Sequence, residues 1–151
     1  MKKKIVIASD HAGFNLKEKI KEFLTKENYQ IIDIGCYSCN SVDYPIYGVE
    51  AVKKVIEKEA DFGILICGTG IGMSIVANRF QGIRAALCNE PFSAKMARLH
   101  NDANVLVLGG RIIGEAMAIE IVQTFFSTPF EGGRHERRLN LIESLTKNES
   151  S

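Results

Sequence analysis

At 151 residues, 46% of them hydrophobic and 25% charged, the chain is long enough to bury a core and reads as one domain, residues 1–151. Nineteen basic residues against 18 acidic ones leave a formal charge of +1, so no field of one sign draws it to nucleic acid or to an anionic membrane. No apolar run approaches the roughly 20 residues of a spanning helix, and the apolar stretch behind the opening lysines is too short for a secretory signal.

Five compact, mostly β-branched runs follow in chain order, at 5–8, 31–34, 64–67, 83–87 and 105–108, each bounded by Gly, Asn or Asp. Such unbroken apolar runs suit strands covered on both faces. Between them helical spacing recurs: Leu16, Ile20, Phe23 and Leu24, then Val49, Val52 and Ile56 behind Pro45. Phe92, Met96 and Leu99 follow Pro91, and Ala118, Ile121, Val122 and Phe125 fit one helix face. The alternation predicts a three-layer α/β/α fold, doubly wound and Rossmann-like, with a five-stranded parallel sheet. A further C-terminal helix starts after Gly132-Gly133, with Leu141, Ile142 and Leu145 on a stripe that Arg138 and Arg134 extend backwards. That stripe is expected to dock on its own domain or on a neighbour, with both arginines turned toward packed structure.

Ligands of open parallel sheets bind beyond the carboxyl ends of the strands. The first exit carries Ser9-Asp10-His11-Ala12-Gly13, the third Cys67-Gly68-Thr69-Gly70-Ile71-Gly72, and the fifth Gly109-Gly110-Arg111. The glycine loop is no P-loop, because no Gly-Lys-Ser/Thr follows, and Met73 stands where a GxGxxG loop has its last glycine. Cys67 is placed where a helix begins, and a thiol at a helix N-terminus holds more thiolate at neutral pH. The alternative for Cys67 is a buried structural cysteine, the reading given to Cys36, Cys39 and Cys88. Cys36 and Cys39 have CxxC spacing but precede a loop, and no second ligand pair completes a zinc site. Four cysteines without a signal peptide point to reduced thiols and a cytoplasmic setting.

His100 closes its helix beside Asn101, where the dipole favours imidazolium; a capping surface histidine is the alternative. Asp10 is a candidate polar group and also a plausible N-cap. Arg134 and Arg138, one helical turn apart, suit the fork geometry of phosphate recognition, with Arg111 as a third positive group. Ion pairs with carboxylates are the bland alternative for them.

These residues resemble the sugar-phosphate isomerase family that holds type B ribose-5-phosphate isomerases together with allose-6-phosphate and galactose-6-phosphate isomerases. The resemblance rests on Ser9-Asp10-His11-Ala12-Gly13, Asp43-Tyr44-Pro45, the stretch from Ile66 to Gly72, His100-Asn101-Asp102-Ala103-Asn104 and Glu131-Gly132-Gly133-Arg134-His135. It implies D-ribose 5-phosphate and D-ribulose 5-phosphate as the interconverted pair, in the pentose phosphate pathway, through a cis-enediolate. It implies a base at Cys67 and an acid and ring opener at His100, with Thr69 and Asp10 assisting. Substrate contacts are implied for Asp10, His11, Gly68, Thr69, Gly70, Ile71, Gly72, Asn101, Arg111, Arg134 and Arg138. One branch of the family uses a glutamate in the glycine loop as base, but Ile71 and Met73 stand in that stretch here, so the cysteine branch is the match. No cofactor or metal is expected. The expected partners are a small phosphorylated sugar and a second copy of the chain, in a homodimer or dimer of dimers with a shared active site. Two alternatives remain open: a six-carbon sugar phosphate such as allose 6-phosphate, and a non-catalytic phosphosugar-binding module. A thiol oxidoreductase using Cys36 and Cys39 is a more distant one.

Overall fold

The computed structural model describes residues 3–37 and 40–147. Five strands run β1 (Lys4–Ser9), β2 (Gln30–Gly35), β3 (Phe62–Cys67), β4 (Ala85–Leu87) and β5 (Val105–Gly109). Every pairing is parallel, in the order β2-β1-β3-β5-β4. Six helices join them: α1 (Phe14–Lys26), α2 (Tyr44–Ile56), α3 (Ile71–Ala77), α4 (Pro91–Asn101), α5 (Glu115–Ser127) and α6 (Arg134–Leu145).

The period of two along each strand sorts the side chains into two cores. Ile5, Ile7, Ile64, Ile66, Leu106 and Leu108 pack with α1, α4 and α5 on one face. Val6, Ala8, Leu65, Cys67, Val105 and Val107 pack with α2 and α3 on the other. The doubly wound α/β architecture is therefore as the sequence pattern implies. Ala118, Ile121, Val122 and Phe125 of α5 are wholly enclosed, as expected, and each of the three larger ones contributes about 1.5–3 kcal/mol of burial.

Three local expectations need correction. The fourth strand begins at Ala85, not at residue 83, because Asn104 captures the Arg84 N–H at 2.8 Å and its own N–H bonds the Arg84 carbonyl. In α2 the packed face is Gly48, Ala51, Val52 and Val55, while Ile56 is exposed. Small residues carry that face because α3 comes close: a Cβ on Gly48 would lie 2.8 Å from the Met73 sulfur. In α4 the buried positions are Ala94, Ala97 and Arg98, and Phe92 faces solvent. Arg98 is held inside by bonds to Asp102 Oδ1 and the Ala103 carbonyl, its guanidinium lying over the Phe62 and Phe125 rings.

For the α6 stripe the structure decides one of the two expected alternatives. Within the single chain the stripe is not packed, which excludes its own domain as the cover: Ile142 is 53% and Leu145 79% exposed, and Arg134 and Arg138 are exposed with them. The buried α6 residue is His135, through which the helix leans on α4.

One enclosed cation was unforeseen. Lys17 is 0% exposed, its Nζ 2.7 Å from Asp33 Oδ2, and Lys21 Nζ reaches the same oxygen at 2.6 Å. Burial pushes the Asp33 carboxyl up, but hydrogen bonds from the two lysines outweigh it and hold the group below the usual carboxylate range.

Candidate active site

β1, β3 and β5 are neighbours in the sheet, so their exits meet at one edge. The chain reverses its winding between β1 and β3, which is where open α/β sheets bind ligands. Asp10 leaves β1 with its N–H on the Ile66 carbonyl, and Oδ1 accepts the Gly13 N–H at 3.1 Å. Asp10 is thus an N-cap of a single 3₁₀ turn, His11–Gly13, and is buried. His11 beside it accepts the Val42 N–H at Nδ1, 3.2 Å.

Close backbone approach locks the three exits together. Gly110 N–H bonds the Cys67 carbonyl at 2.8 Å, and Arg111 N–H bonds the Gly68 carbonyl at 2.9 Å. The Arg111 side chain crosses the loop, its Nη1 3.5 Å from where a Gly68 Cβ would sit. Gly70 adopts φ +84°, and a Cβ there would collide with Leu87 Cδ1, so only glycine fits.

Cys67 ends β3 at 5% exposure, pointing to the α2/α3 face. The helix does not begin at the thiol, as the sequence suggested: residues 68–70 intervene, and α3 starts at Ile71. Thr69 Oγ1 accepts the Ile71 N–H at 3.2 Å, so that amide is already engaged while the hydroxyl proton stays free to donate. Tyr44, which sequence reasoning left without a role, covers Gly72: a Cβ there would lie 2.8 Å from the phenol oxygen. Cys88 is of another kind, since burial and the Glu90 charge push its thiol up to about 12. Cys36 is buried with its sulfur 3.9 Å from Ser9 Oγ, and Cys39 lies outside the described residues.

The remaining expected residues sit at the opposite edge. Gly63 N–H bonds the Asn104 carbonyl, fixing the approach to β5 beside the start of β3. Cys67 lies four residues further along, roughly 13 Å at strand rise. His100 and Asn101 close α4 at this edge, where Asp102 turns the chain with φ +45°. Glu131 N–H bonds the Leu99 carbonyl at 3.0 Å and brings α6 alongside. The His135 ring then stacks on His100, centroids 4.0 Å apart and planes within 11°. Burial, then the charges of His100 and Arg134, push the His135 imidazole below its ordinary value, against the opposing pull of Glu131. A groove of about 690 Å³ runs past Asn101, Arg84, Ala103, Leu139 and Ile142 at this same edge.

Asp10, His11, Cys67, the glycine loop from Gly68 to Gly72 and Arg111 therefore gather at one edge. His100, Asn101, Arg134 and Arg138 gather at the other. Glu131 and His135 belong to the second group and had no readable role, because they meet His100 only through the α4–α6 packing.

Fold and site together define a doubly wound α/β protein with a thiol at its topological switch point. The model of the family described as Ribose/Galactose Isomerase matches residues 5–142. Ribose-5-phosphate isomerase B of Escherichia coli is 46% identical over 143 residues, 95% of this chain and 96% of that one. A ribose 5-phosphate isomerase structure from Thermotoga maritima superposes with a TM-score of 0.92 at 58% identity, covering 94% of this chain and 98% of that one. The type B ribose 5-phosphate isomerase of Trypanosoma brucei gives 0.92 at 47% identity, covering 96% and 99%. The chain belongs to the ribose/galactose isomerase family. Among the described residues, no helix is long and apolar enough to cross a membrane.

Proposed function

We propose that residues 1–151 act as one isomerase domain that interconverts D-ribose 5-phosphate and D-ribulose 5-phosphate, in a cytoplasmic setting. The observation that carries this reading is the convergence of three strand exits on Cys67, in a chain 46% identical to a ribose-5-phosphate isomerase B. The free thiols of Cys67 and Cys88 support the setting.

In this reading His100 donates a proton to the furanose ring oxygen, with Asp10 assisting, and opens the sugar. The Cys67 thiolate then takes the C2 proton; the C–H electron pair forms the C1–C2 double bond and the aldehyde oxygen becomes an oxyanion. Backbone N–H groups of the glycine loop and the Thr69 hydroxyl stabilise that cis-enediolate, as donors fixed before the charge develops do. The C2 hydroxyl proton passes to O1, and return of the proton from Cys67 to C1 then leaves the carbonyl at C2. His11, Arg111, Arg134 and Arg138 hold the phosphate, and Asn101 a sugar hydroxyl, so that binding energy remote from the reacting carbons orients them.

No single chain brings both edges to one sugar, so the reading includes a homodimer. A two-fold axis would set the Cys67 edge of each protomer against the His100 edge of its partner and create two equivalent sites. The exposed Leu141, Ile142 and Leu145 of α6 support such a docking surface.

Subunit complementation tests this. Cys67→Ala and His100→Gln are each expected to be nearly inactive, whereas the two co-expressed should recover about a quarter of wild-type turnover, because half the dimers are mixed and each carries one intact site. No recovery would defeat the shared site. The family description also covers a six-carbon sugar, and a higher kcat/KM on allose 6-phosphate than on ribose 5-phosphate would move the substrate assignment there. Binding of ribose 5-phosphate without turnover by the unaltered protein would instead mark a sensor.

A further inference from the structure

His100, Glu131 and His135 come from two helices and the turn between α5 and α6, and no motif spacing in the sequence joins them. Their ligand atoms all lie within 4.8 Å of one another. His100 Nε2 is 4.0 Å from one Glu131 oxygen and His135 Nε2 is 4.0 Å from the other, too far for hydrogen bonds. The His135 side chain is 6% exposed, and its Nε2 is enclosed with no partner. An enclosed imidazole nitrogen without a partner is unfavourable unless something occupies the space it faces.

We propose that these three side chains form a site for a borderline transition-metal dication, Zn²⁺ above all, whose occupancy switches the isomerase off. Two imidazoles and a carboxylate are the donor set of open zinc sites and suit Zn²⁺ or Co²⁺ rather than Mg²⁺ or Ca²⁺. Zinc–nitrogen bonds of about 2.0–2.1 Å place tetrahedral ligands roughly 3.4 Å apart, so the cluster must close by about an ångström. Glu131 can supply that movement. It is half-exposed, and Gly132 and Gly133 behind it hold positive φ angles that leave the turn free of Cβ contacts. The His100 and His135 rings must tilt out of their stack so that both lone pairs aim at one ion. Exposed Arg134 and Arg138 on α6 oppose the added charge and set the affinity in the micromolar rather than the nanomolar range. A metal on His100 removes the lone pair that carries the proton for ring opening. The inhibition, though not the site, rests on the role assigned to His100 above.

The experiment titrates the intact protein with Zn²⁺ by calorimetry and with Co²⁺ by visible absorption, following turnover in parallel. One ion per chain is expected, with the intense visible bands of four-coordinate Co²⁺ and loss of turnover that tracks occupancy and is reversed by a chelator. Glu131→Gln, a surface change that should fold normally, is expected to weaken Co²⁺ at least about tenfold, and His135→Gln to do the same. Cys67→Ser is expected to bind Co²⁺ as the unaltered chain does. Binding that survives both first variants, or that vanishes in Cys67→Ser, overturns the site, as does absence of binding at millimolar metal. Full occupancy without loss of turnover overturns the switch and, separately, the role of His100.

Discussion

The two edges of the sheet divide the expected site residues unequally, and they are built differently. At the Cys67 edge nearly every group is pinned from below: Gly110 on the Cys67 carbonyl, Arg111 on Gly68, Asp10 between Ile66 and Gly13. At the His100 edge the charged groups stand exposed on α6, and the fixed element is one stack of imidazoles. Proton abstraction from carbon tolerates little positional error, since about an ångström of misplacement costs on the order of a hundredfold in rate. Phosphate capture by long arginines tolerates more. The rigid edge is thus suited to proton abstraction from carbon, and the open edge, beyond the ring-opening His100, to binding and release.

The sharpest way to break this contrast is at the thiol. Cys67→Ala should lower kcat by roughly 10³-fold or more, in the upper range of general-base contributions, while ribose 5-phosphate affinity stays within a few-fold. Ribulose 5-phosphate formation and calorimetric binding, measured on the same preparation, check both halves. Substantial retained turnover would remove Cys67 from the reaction and leave the pinned edge unexplained.

The rigidity itself can be attacked next, through Asp33. Its carboxylate accepts from Lys17 and Lys21, and its Oδ1 also accepts the Gly35 N–H at 2.9 Å, at the end of β2. Asp33→Asn leaves the enclosed Lys17 with only the half-exposed Glu18 carboxylate, 3.0 Å away, and should cost about 3 kcal/mol at pH 7 by denaturant titration. The folded carboxyl lies below its ordinary value, so the unfolded chain binds the proton more readily and the stabilisation is present above about pH 4. It fades as pH falls through the folded value. The variant and the unaltered protein should therefore converge in stability under acid, and a difference that persists at pH 2 would show that packing rather than charge holds the end of β2.

The Lys17 cluster also marks where sequence reading stops. The five strands, their parallel winding and the three chemical exits are legible because apolar runs ending in glycine, Asp or Cys report local backbone requirements. Lys17 is invisible to that logic: lysine is almost never enclosed unless paired, and its partner Asp33 is sixteen positions away. The α2 face was misread for a related reason, since Gly48 and Ala51 pack by closeness rather than by hydrophobicity. The α6 stripe shows a third kind of limit. Its period announces a covered face, yet no period says whether the cover is the same chain or another. Tyr44 and His135 fall within the motifs that carry the family resemblance, but their roles depend on which helix comes to lie over which loop.

The open edge is the place for the smallest of these effects, and for the finest discrimination. Arg138→Ala should raise KM for ribose 5-phosphate by roughly 10- to 30-fold, the loss of one charge-assisted contact, with kcat changed much less. Arg138→Lys keeps the charge but not the planar fork, and should recover only part of the affinity. Because Arg138 is exposed in the single chain, neither change should shift the denaturation midpoint by more than about 0.5 kcal/mol in stability. A fall in kcat matching the rise in KM would mean that the guanidinium acts in the transition state, and the division into a catalytic edge and a binding edge would have to be redrawn. An unchanged KM with lowered stability would mean that Arg138 pairs with a carboxylate across the interface and never meets phosphate.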